Sequence, residues 1–170
     1  MEIAAWLGTT RASDIMVRSV VTLKPSDTLA HAAAVLLHEQ ISGAPVVDAK
    51  GACIGVVSAS GILGAEDKVA QERRKVAESS FWNSNLSLPM SVYADKLAEI
   101  REKIGPAADQ PAERFMTSDL VSVSADTPLR VVIEDMVNAH VHRVVVLDAD
   151  RRLKGIVSTT DVLAALLRAV

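Results

Sequence analysis

Residues in the first third of this chain recur 100 positions later without a gap. Met16 matches Met116, Val21 matches Val121, Leu29 matches Leu129 and Val46 matches Val146. Asp48, Gly55, Val57, Ser58 and Leu63 then match Asp148, Gly155, Val157, Ser158 and Leu163. Chance does not hold register over a unit of about 50 residues, so the chain is a tandem duplication. One such unit is too small to bury both faces of a covered sheet, whereas two can share a core.

Both copies read as strand, helix, strand, strand, helix. Val20–Leu23 and Leu120–Val123 are short β-branched runs that suit a strand. The helix that follows carries apolar residues at Leu29, Ala32, Ala33, Leu36 and Leu37, and its counterpart at Leu129, Val132, Ile133, Met136 and Val137. That spacing places one stripe inward. In the second copy Thr127 reads as the N-cap, with Pro128 at the first helical position. Paired strands Ala44–Val47 and Ile54–Val57 follow, joined by Asp48-Ala49-Lys50-Gly51. The second copy offers Val144–Leu147 and Leu153–Val157 around Asp148-Ala149-Asp150. A last helix starts near Ser60 and near Thr160. This alternation predicts a mixed α and β fold with a covered sheet.

The copies divide the chain into an N-terminal segment (1–12), a first repeat (13–64), a helical linker (65–113) and a second repeat (114–170). In the linker, 66–78 reads as a charged helical extension, and Tyr93, Leu97, Ile100 and Ile104 fall at helical spacing. Aromatic residues make up only 3% of the chain: Trp6, Phe81, Trp82 and Tyr93 lie outside the repeats, and Phe115 sits at the edge of the second. The large anchors thus fall where either a neighbour or the chain's own repeats would bury them.

Composition removes several functions. An apolar content of 49% excludes disorder, and the lone Cys53 excludes a disulfide scaffold and fits a reducing, cytoplasmic setting. No apolar run approaches the roughly 18 residues that span a bilayer. A net charge of −3 and a cleft without stacking aromatics argue against a nucleic-acid polymer as partner. No nucleophile-and-base pair, Walker loop or Gly-x-Ser-x-Gly elbow occurs, so no catalytic residue is assigned and the chain reads as a non-enzyme. His31 and His38 share a helix face without a Cys or carboxylate at ligand spacing, which reads as solvated histidines and no metal site. Cys53 reads as a small packing residue.

The remaining candidate chemistry lies at the strand-to-helix junctions, Gly155-Ile156-Val157-Ser158-Thr159-Thr160-Asp161 and Gly55-Val56-Val57-Ser58-Ala59-Ser60-Gly61. A hydroxyl there stands beside unpaired backbone amides and the positive helix end, which attract phosphate. A following Asp suits the two hydroxyls of a ribose. The same residues also make an ordinary helix start, with Thr159 or Thr160 as N-cap and Asp161 stabilising the first turn.

These junctions, the stretches Ile41-Ser42-Gly43-Ala44-Pro45-Val46-Val47-Asp48 and Val141-His142-Arg143-Val144-Val145-Val146-Leu147-Asp148, and the Asp-Ile-Met and Arg-Phe-Met openings resemble the cystathionine-β-synthase (CBS) domain family. The resemblance covers about 13–63 and 114–167, both halves of a CBS pair, and omits the linker and the first dozen residues. It implies an α/β (α+β) fold of two tandem β-α-β-β-α repeats packed as a pseudo-two-fold pair. It further implies a regulatory module that binds an adenosine-containing ligand, such as AMP, ADP, ATP or S-adenosylmethionine, in a cleft between repeats. Such a module requires no cofactor, forms a homodimer and signals through dimer contacts or a separate effector protein. The alternative is a ligand-free structural or dimerisation module.

Carried onto this sequence, the resemblance assigns ribose and phosphate to Ser158, Thr160 and Asp161, with His142 and Arg143 facing phosphate. Adenine walls come from Met16, Val21, Ile41, Ser42 and Gly43, with backbone groups from Ser42 to Ala44 reading the base edge. A guanidinium at position 143 suits bidentate phosphate binding. The second cleft departs from the pattern, because Gly61 replaces the ribose-binding Asp and leaves Ser58 and Ser60. Losing those contacts costs on the order of 2–3 kcal/mol, so one competent site per chain is expected.

Overall fold

The computed structural model describes residues 3–63, 104 and 107–169. The linker readings at 66–78 and from Tyr93 lie outside the described residues, as do Phe81, Trp82 and Tyr93; only Ile104 is described, and it is buried. The elements run α1 (Ile3–Thr9), α2 (Ala12–Ile15), α3 (Leu29–His38), β1 (Gly43–Val47), β2 (Cys53–Ser58), α4 (Ala59–Leu63), a 3₁₀ turn (Ala112–Arg114), β3 (Ser122–Val123), α5 (Leu129–Asn138), β4 (Arg143–Leu147), β5 (Leu153–Ser158) and α6 (Thr159–Ala169). The fold is mixed α+β, as the alternation of helix and strand spacing in each copy predicts.

Two compact units form. The terminal unit takes its described residues from Met1–Val20, Gly51–Cys53 and Leu120–Val170, and the central unit from Val21–Lys50 and Ile54–Asp119. Each is completed by the lead segment of the other repeat. In the terminal unit Val17 pairs with Ile156, donating its N–H to the Ile156 carbonyl at 2.9 Å and accepting in return at 3.0 Å. In the central unit Thr117 pairs with Val56 in the same way, at 2.9 and 3.0 Å.

A glycine opposite each lead segment makes room for it. A Cβ at Gly155 would lie 2.8 Å from both Met16 Sδ and the Val17 carbonyl oxygen, and one at Gly55 would lie 2.6 Å from Met116 Sδ.

The helical stripes pack as their spacing requires. In α3, Leu29, Ala32, Ala33 and Leu36 are buried, and in α5, Leu129, Val132 and Met136. Val137, expected inward, is 64% exposed. At 100° per residue it lies about 100° from the centre of the stripe, so the helix carries it out of the core. Both helices end in a Schellman motif: Ile41 N–H reaches the Leu36 carbonyl at 3.0 Å and Val141 N–H the Met136 carbonyl at 2.9 Å.

The expected opening strands are short. Leu23 makes a single parallel bridge to Val46 before Lys24 and Pro25 turn the chain. Its counterpart, β3, spans two residues, parallel to β4.

The N-cap of α5 also differs from expectation. Pro128 occupies the cap position, with no side-chain cap bond, because it is drawn into an antiparallel bridge with Arg11. Thr127 instead accepts the Ser124 N–H at 3.0 Å, as Asp27 accepts that of Lys24 at 2.7 Å. In α3 the cap position holds Thr28, whose side chain accepts the His31 N–H at 3.1 Å.

Aliphatic side chains fill both cores. Leu23, Leu36, Val46, Val57 and Ile62 lie in the central unit, closed by Phe115. Leu129, Val132, Val144, Val146 and Val157 lie in the terminal unit, with Trp6 and Leu7 packed against them. Trp6 and Phe115 are therefore packed within the chain itself. Cys53 is fully buried beside Val145 and Leu147.

Strand β4 runs antiparallel to β5, with a register slip after Val146 that leaves Lys154 without a strand partner. Its Nζ reaches Asp148 Oδ2 at 3.0 Å. The Arg152 backbone N–H, followed by this lysine, holds the Asp148 carboxyl below the usual carboxylate range.

In the same turn Arg151 sits at φ 60°, where its counterpart Gly51 sits at φ 84°. A left-handed conformation costs a non-glycine residue about 1–2 kcal/mol, and glycine's freedom in the unfolded chain offsets about half of that. Arg151→Gly is therefore expected to stabilise the protein by up to about 1 kcal/mol, read as a higher urea midpoint at unchanged slope.

Candidate functional site

Strand β5 ends at Ser158 and α6 begins at the next residue, so Ser158 is the helix N-cap, not Thr159 or Thr160. Ser158 and Asp161 bond reciprocally. The Ser158 N–H donates to Asp161 Oδ2 at 2.8 Å, the Ser158 hydroxyl donates to the same oxygen at 2.6 Å, and the Asp161 N–H donates to Ser158 Oγ at 3.2 Å. This is a capping box with aspartate in the third helical position, and its charge sits at the favourable end of an eleven-residue helix.

His142 and Arg143 meet this junction from the neighbouring strand. Arg143 opens β4 directly opposite Ser158. Opposed residues in an antiparallel pair project to the same sheet face, so the guanidinium stem and the Ser158 hydroxyl share a side. The His142 carbonyl accepts the Thr159 N–H at 3.0 Å and the Thr159 hydroxyl at 3.2 Å, which ties the start of α6 to the strand entrance. Thr160 is exposed on the first turn. Met16 lies against Gly155, three residues upstream of Ser158 on β5.

The structure thus gathers Met16, His142, Arg143, Ser158, Thr160 and Asp161 into the terminal unit. Two further residues belong with them. Thr159 anchors the helix start, and Val17, bridged to Ile156 and 49% exposed, is a large apolar side chain beside the junction strand. Nothing in the sequence separates Val17 from the other valines of the lead segment. Its place comes from pairing with a strand near the far end of the chain.

Val21, Ile41, Ser42, Gly43 and Ala44 fall in the central unit. Gly43 and Ala44 are buried at the start of β1, Ile41 is half-buried against the core, and the Ser42 carbonyl accepts the Ala59 N–H at 3.0 Å. That bond reproduces the one between His142 and Thr159.

The cap is reproduced as well, since Ser58 Oγ accepts the Gly61 N–H at 3.1 Å. What is missing is the carboxylate. A Cβ at Gly61 would lie 3.1 Å from the Phe115 carbonyl oxygen, so backbone crowds the place an aspartate would occupy. The side chain of Ser60 lies outside the described residues.

Among the described residues no group of three or more His, Cys, Asp or Glu is placed to hold a metal ion. His31 and His38 are exposed, and His38 Nδ1 lies 2.9 Å from Glu39 Oε1. No helix of the described residues is long and apolar enough to cross a membrane.

Several known proteins are similar to this chain. The chain is 24% identical over 153 residues to inosine-5'-monophosphate dehydrogenase of Methanocaldococcus jannaschii, covering 90% of this chain and 23% of that protein. It therefore spans about a quarter of the length of that relative.

The solved structure of CBSX2 in complex with AMP superposes with a TM-score of 0.67 at 21% identity, covering 94% of this chain and 98% of the other. The CBS domain pair of protein MJ0100, in complex with 5'-methylthioadenosine and S-adenosyl-L-methionine, superposes with a TM-score of 0.64 at 20% identity, covering 95% and 99%. At these identities the likeness is one of fold. The CBS domain family itself matches twice, at residues 12–68 and 112–168, and so takes in both strand-to-helix junctions. With two copies of that domain covering most of its length, the chain belongs to the CBS domain family.

Proposed function

We propose that this chain is a regulatory, non-catalytic module that binds an adenosine-containing ligand at the start of α6. The observation that carries the reading is the placement of Arg143 opposite Ser158 beside the Asp161 carboxylate, with Met16 on the same strand system. Among the described residues, the bonds to the Asp161 carboxylate fall on Oδ2. Oδ1 is left to accept from the vicinal hydroxyls of a ribose. The Arg143 guanidinium, the Thr160 hydroxyl and the first-turn amides suit phosphate, and Met16 and Val17 offer apolar surface to a base. Two structures of like fold were solved with AMP, and with 5'-methylthioadenosine and S-adenosyl-L-methionine, which supports this ligand class.

Gly61 makes the first-repeat junction the poorer of the two, so one ligand per chain is expected. Binding would bias the arrangement of the module and thereby a homodimer or effector contact.

Isothermal titration with AMP, ATP and S-adenosylmethionine, on the wild type and Asp161→Ala, tests the reading. The wild type is expected to bind one of them, and the variant to bind it at least about tenfold more weakly, the worth of one charge-assisted hydrogen bond. Equal heats for both proteins, or none, would overturn it. A second reading, a ligand-free structural module, is favoured by the capping box itself, which gives Ser158 and Asp161 a complete role in holding α6. An unchanged melting temperature across the three ligands would support that reading instead.

A further inference from the structure

We infer that Met16 and Met116 are reversible oxidation sites, and that a sulfoxide at either one releases the lead segment it holds down. Each methionine lies across a glycine of the other repeat. A Cβ at Gly155 would lie 2.8 Å from Met16 Sδ and 3.0 Å from its Cγ, and one at Gly55 would lie 2.6 Å from Met116 Sδ and 2.8 Å from its Cγ. The thioether thus fills the space that a side chain would take on the strand. Met16 packs on against the core of Leu129, Val132 and Val157, and Met116 against that of Leu36, Val57 and Phe115. Both are half-buried, whereas Met136 is only 6% exposed. Peroxide in solution therefore reaches the first two in the folded chain while the third is shielded.

In the step itself a sulfur lone pair attacks one oxygen of hydrogen peroxide, and the S–O bond forms as the O–O bond breaks. The departing hydroxide takes the proton of the transferred hydroxyl and leaves as water. Sulfur is oxidised and peroxide reduced; a methionine sulfoxide reductase with a dithiol reverses the change, the dithiol closing to a disulfide as the oxygen leaves as water. The product is polar where the thioether was apolar, and its oxygen finds neither room nor a donor against the strand. The nearest bridge amides are taken. Val17 and Ile156 exchange N–H bonds with each other's carbonyls at 2.9 and 3.0 Å, and Thr117 and Val56 do the same at 2.9 and 3.0 Å. A sulfoxide kept in place would be a buried acceptor without a partner. The side chain therefore turns out to water, and the lead segment loses the contact that covers the glycine. The same contact recurs in both units, which makes two equivalent latches.

Treating the intact protein with hydrogen peroxide tests this, with oxidised positions read by peptide mass spectrometry and loosening read by amide exchange. Met16 and Met116 are expected to gain oxygen before Met136 does. Exchange at Val17, Ile156, Thr117 and Val56 is expected to accelerate by about tenfold, within the range that a buried, unpaired polar group costs. The reductase and a dithiol are expected to restore the original rates. Met16→Leu, which keeps the volume without the sulfur, is expected to protect Val17 and Ile156 alone, and Met116→Leu to protect Thr117 and Val56 alone. Each variant serves as the other's control should one fold poorly. Unchanged exchange at both bridges once Met16 and Met116 carry oxygen would overturn the inference. Oxidation of these two no earlier than Met136 would overturn it as well, as would equal loosening of Val17 in peroxide-treated Met16→Leu.

Discussion

Leu129→Ala is expected to destabilise the terminal unit by about 2–5 kcal/mol, the range for removing a fully buried leucine side chain. Leu129 has no exposed surface and packs with Val132, Val144, Val146 and Val157. It is also the first residue of α5, and its N–H is held by the Thr10 carbonyl at 2.8 Å. The surrounding atoms thus belong to a sheet, a helix and the lead segment, which do not share one direction in which to collapse. A void left there persists. Because a domain of this size holds only about 5–15 kcal/mol in total, the loss is expected to lower the urea midpoint sharply. Leu129→Met, which conserves volume, is expected to cost less than about 1.5 kcal/mol. A loss below about 1 kcal/mol in the alanine variant would show that the site closes over the deletion and that the three elements are not rigidly joined.

Gly155→Ala is expected to cost about 1–3 kcal/mol although it adds only a methyl group, because it overfills a close-packed contact. The added carbon would lie 2.8 Å from the Val17 carbonyl oxygen and 2.8 Å from Met16 Sδ. The sulfur can swing aside on a flexible side chain, but the carbonyl cannot. It accepts the Ile156 N–H at 3.0 Å, while the Val17 N–H donates to Ile156 at 2.9 Å. Relief therefore requires the lead segment to lift and both bonds to lengthen. Amide exchange at Val17 and Ile156 is expected to accelerate more than exchange in β3. Adding Met16→Ala is expected to recover only part of the loss, since it removes the sulfur clash and leaves the carbonyl. Full recovery would place the whole effect on the methionine.

Local spacing made much of this architecture readable. The stripes of α3 and α5 and the hairpin turns follow from patterns over fewer than a dozen positions, and the repeat follows from register kept at an offset of 100 residues. Local spacing falls short at the edge of a stripe, as at Val137, and where distant segments act on the chain. Thr127 with Pro128 makes a plausible helix start by itself, but the bridge to Arg11 holds Pro128 extended and moves the cap. The junction is legible in the sequence as a helix start, down to Ser158 and Asp161. Its internal wiring was not, because [S/T]-x-x-D specifies which groups are near and not which oxygen is already bonded. Gly61 reads in sequence as a missing carboxylate. In the fold it is also the residue over which the Phe115 carbonyl lies.

The pairing of Val17 with Ile156 constrains how the protein comes to be made. A lead segment synthesised first must wait for a strand near the other end of the chain, and contacts so far apart in sequence form slowly. During translation the Met16 segment leaves the ribosome early, with its partner still unmade. The central unit has all of its residues by Asp119 and is free to condense first. The terminal unit cannot close until β5 has been synthesised. A release or truncation before Gly155 would leave Trp6, Leu7, Ile15, Met16 and Val17 without their covering strand, a substrate for chaperones and proteases.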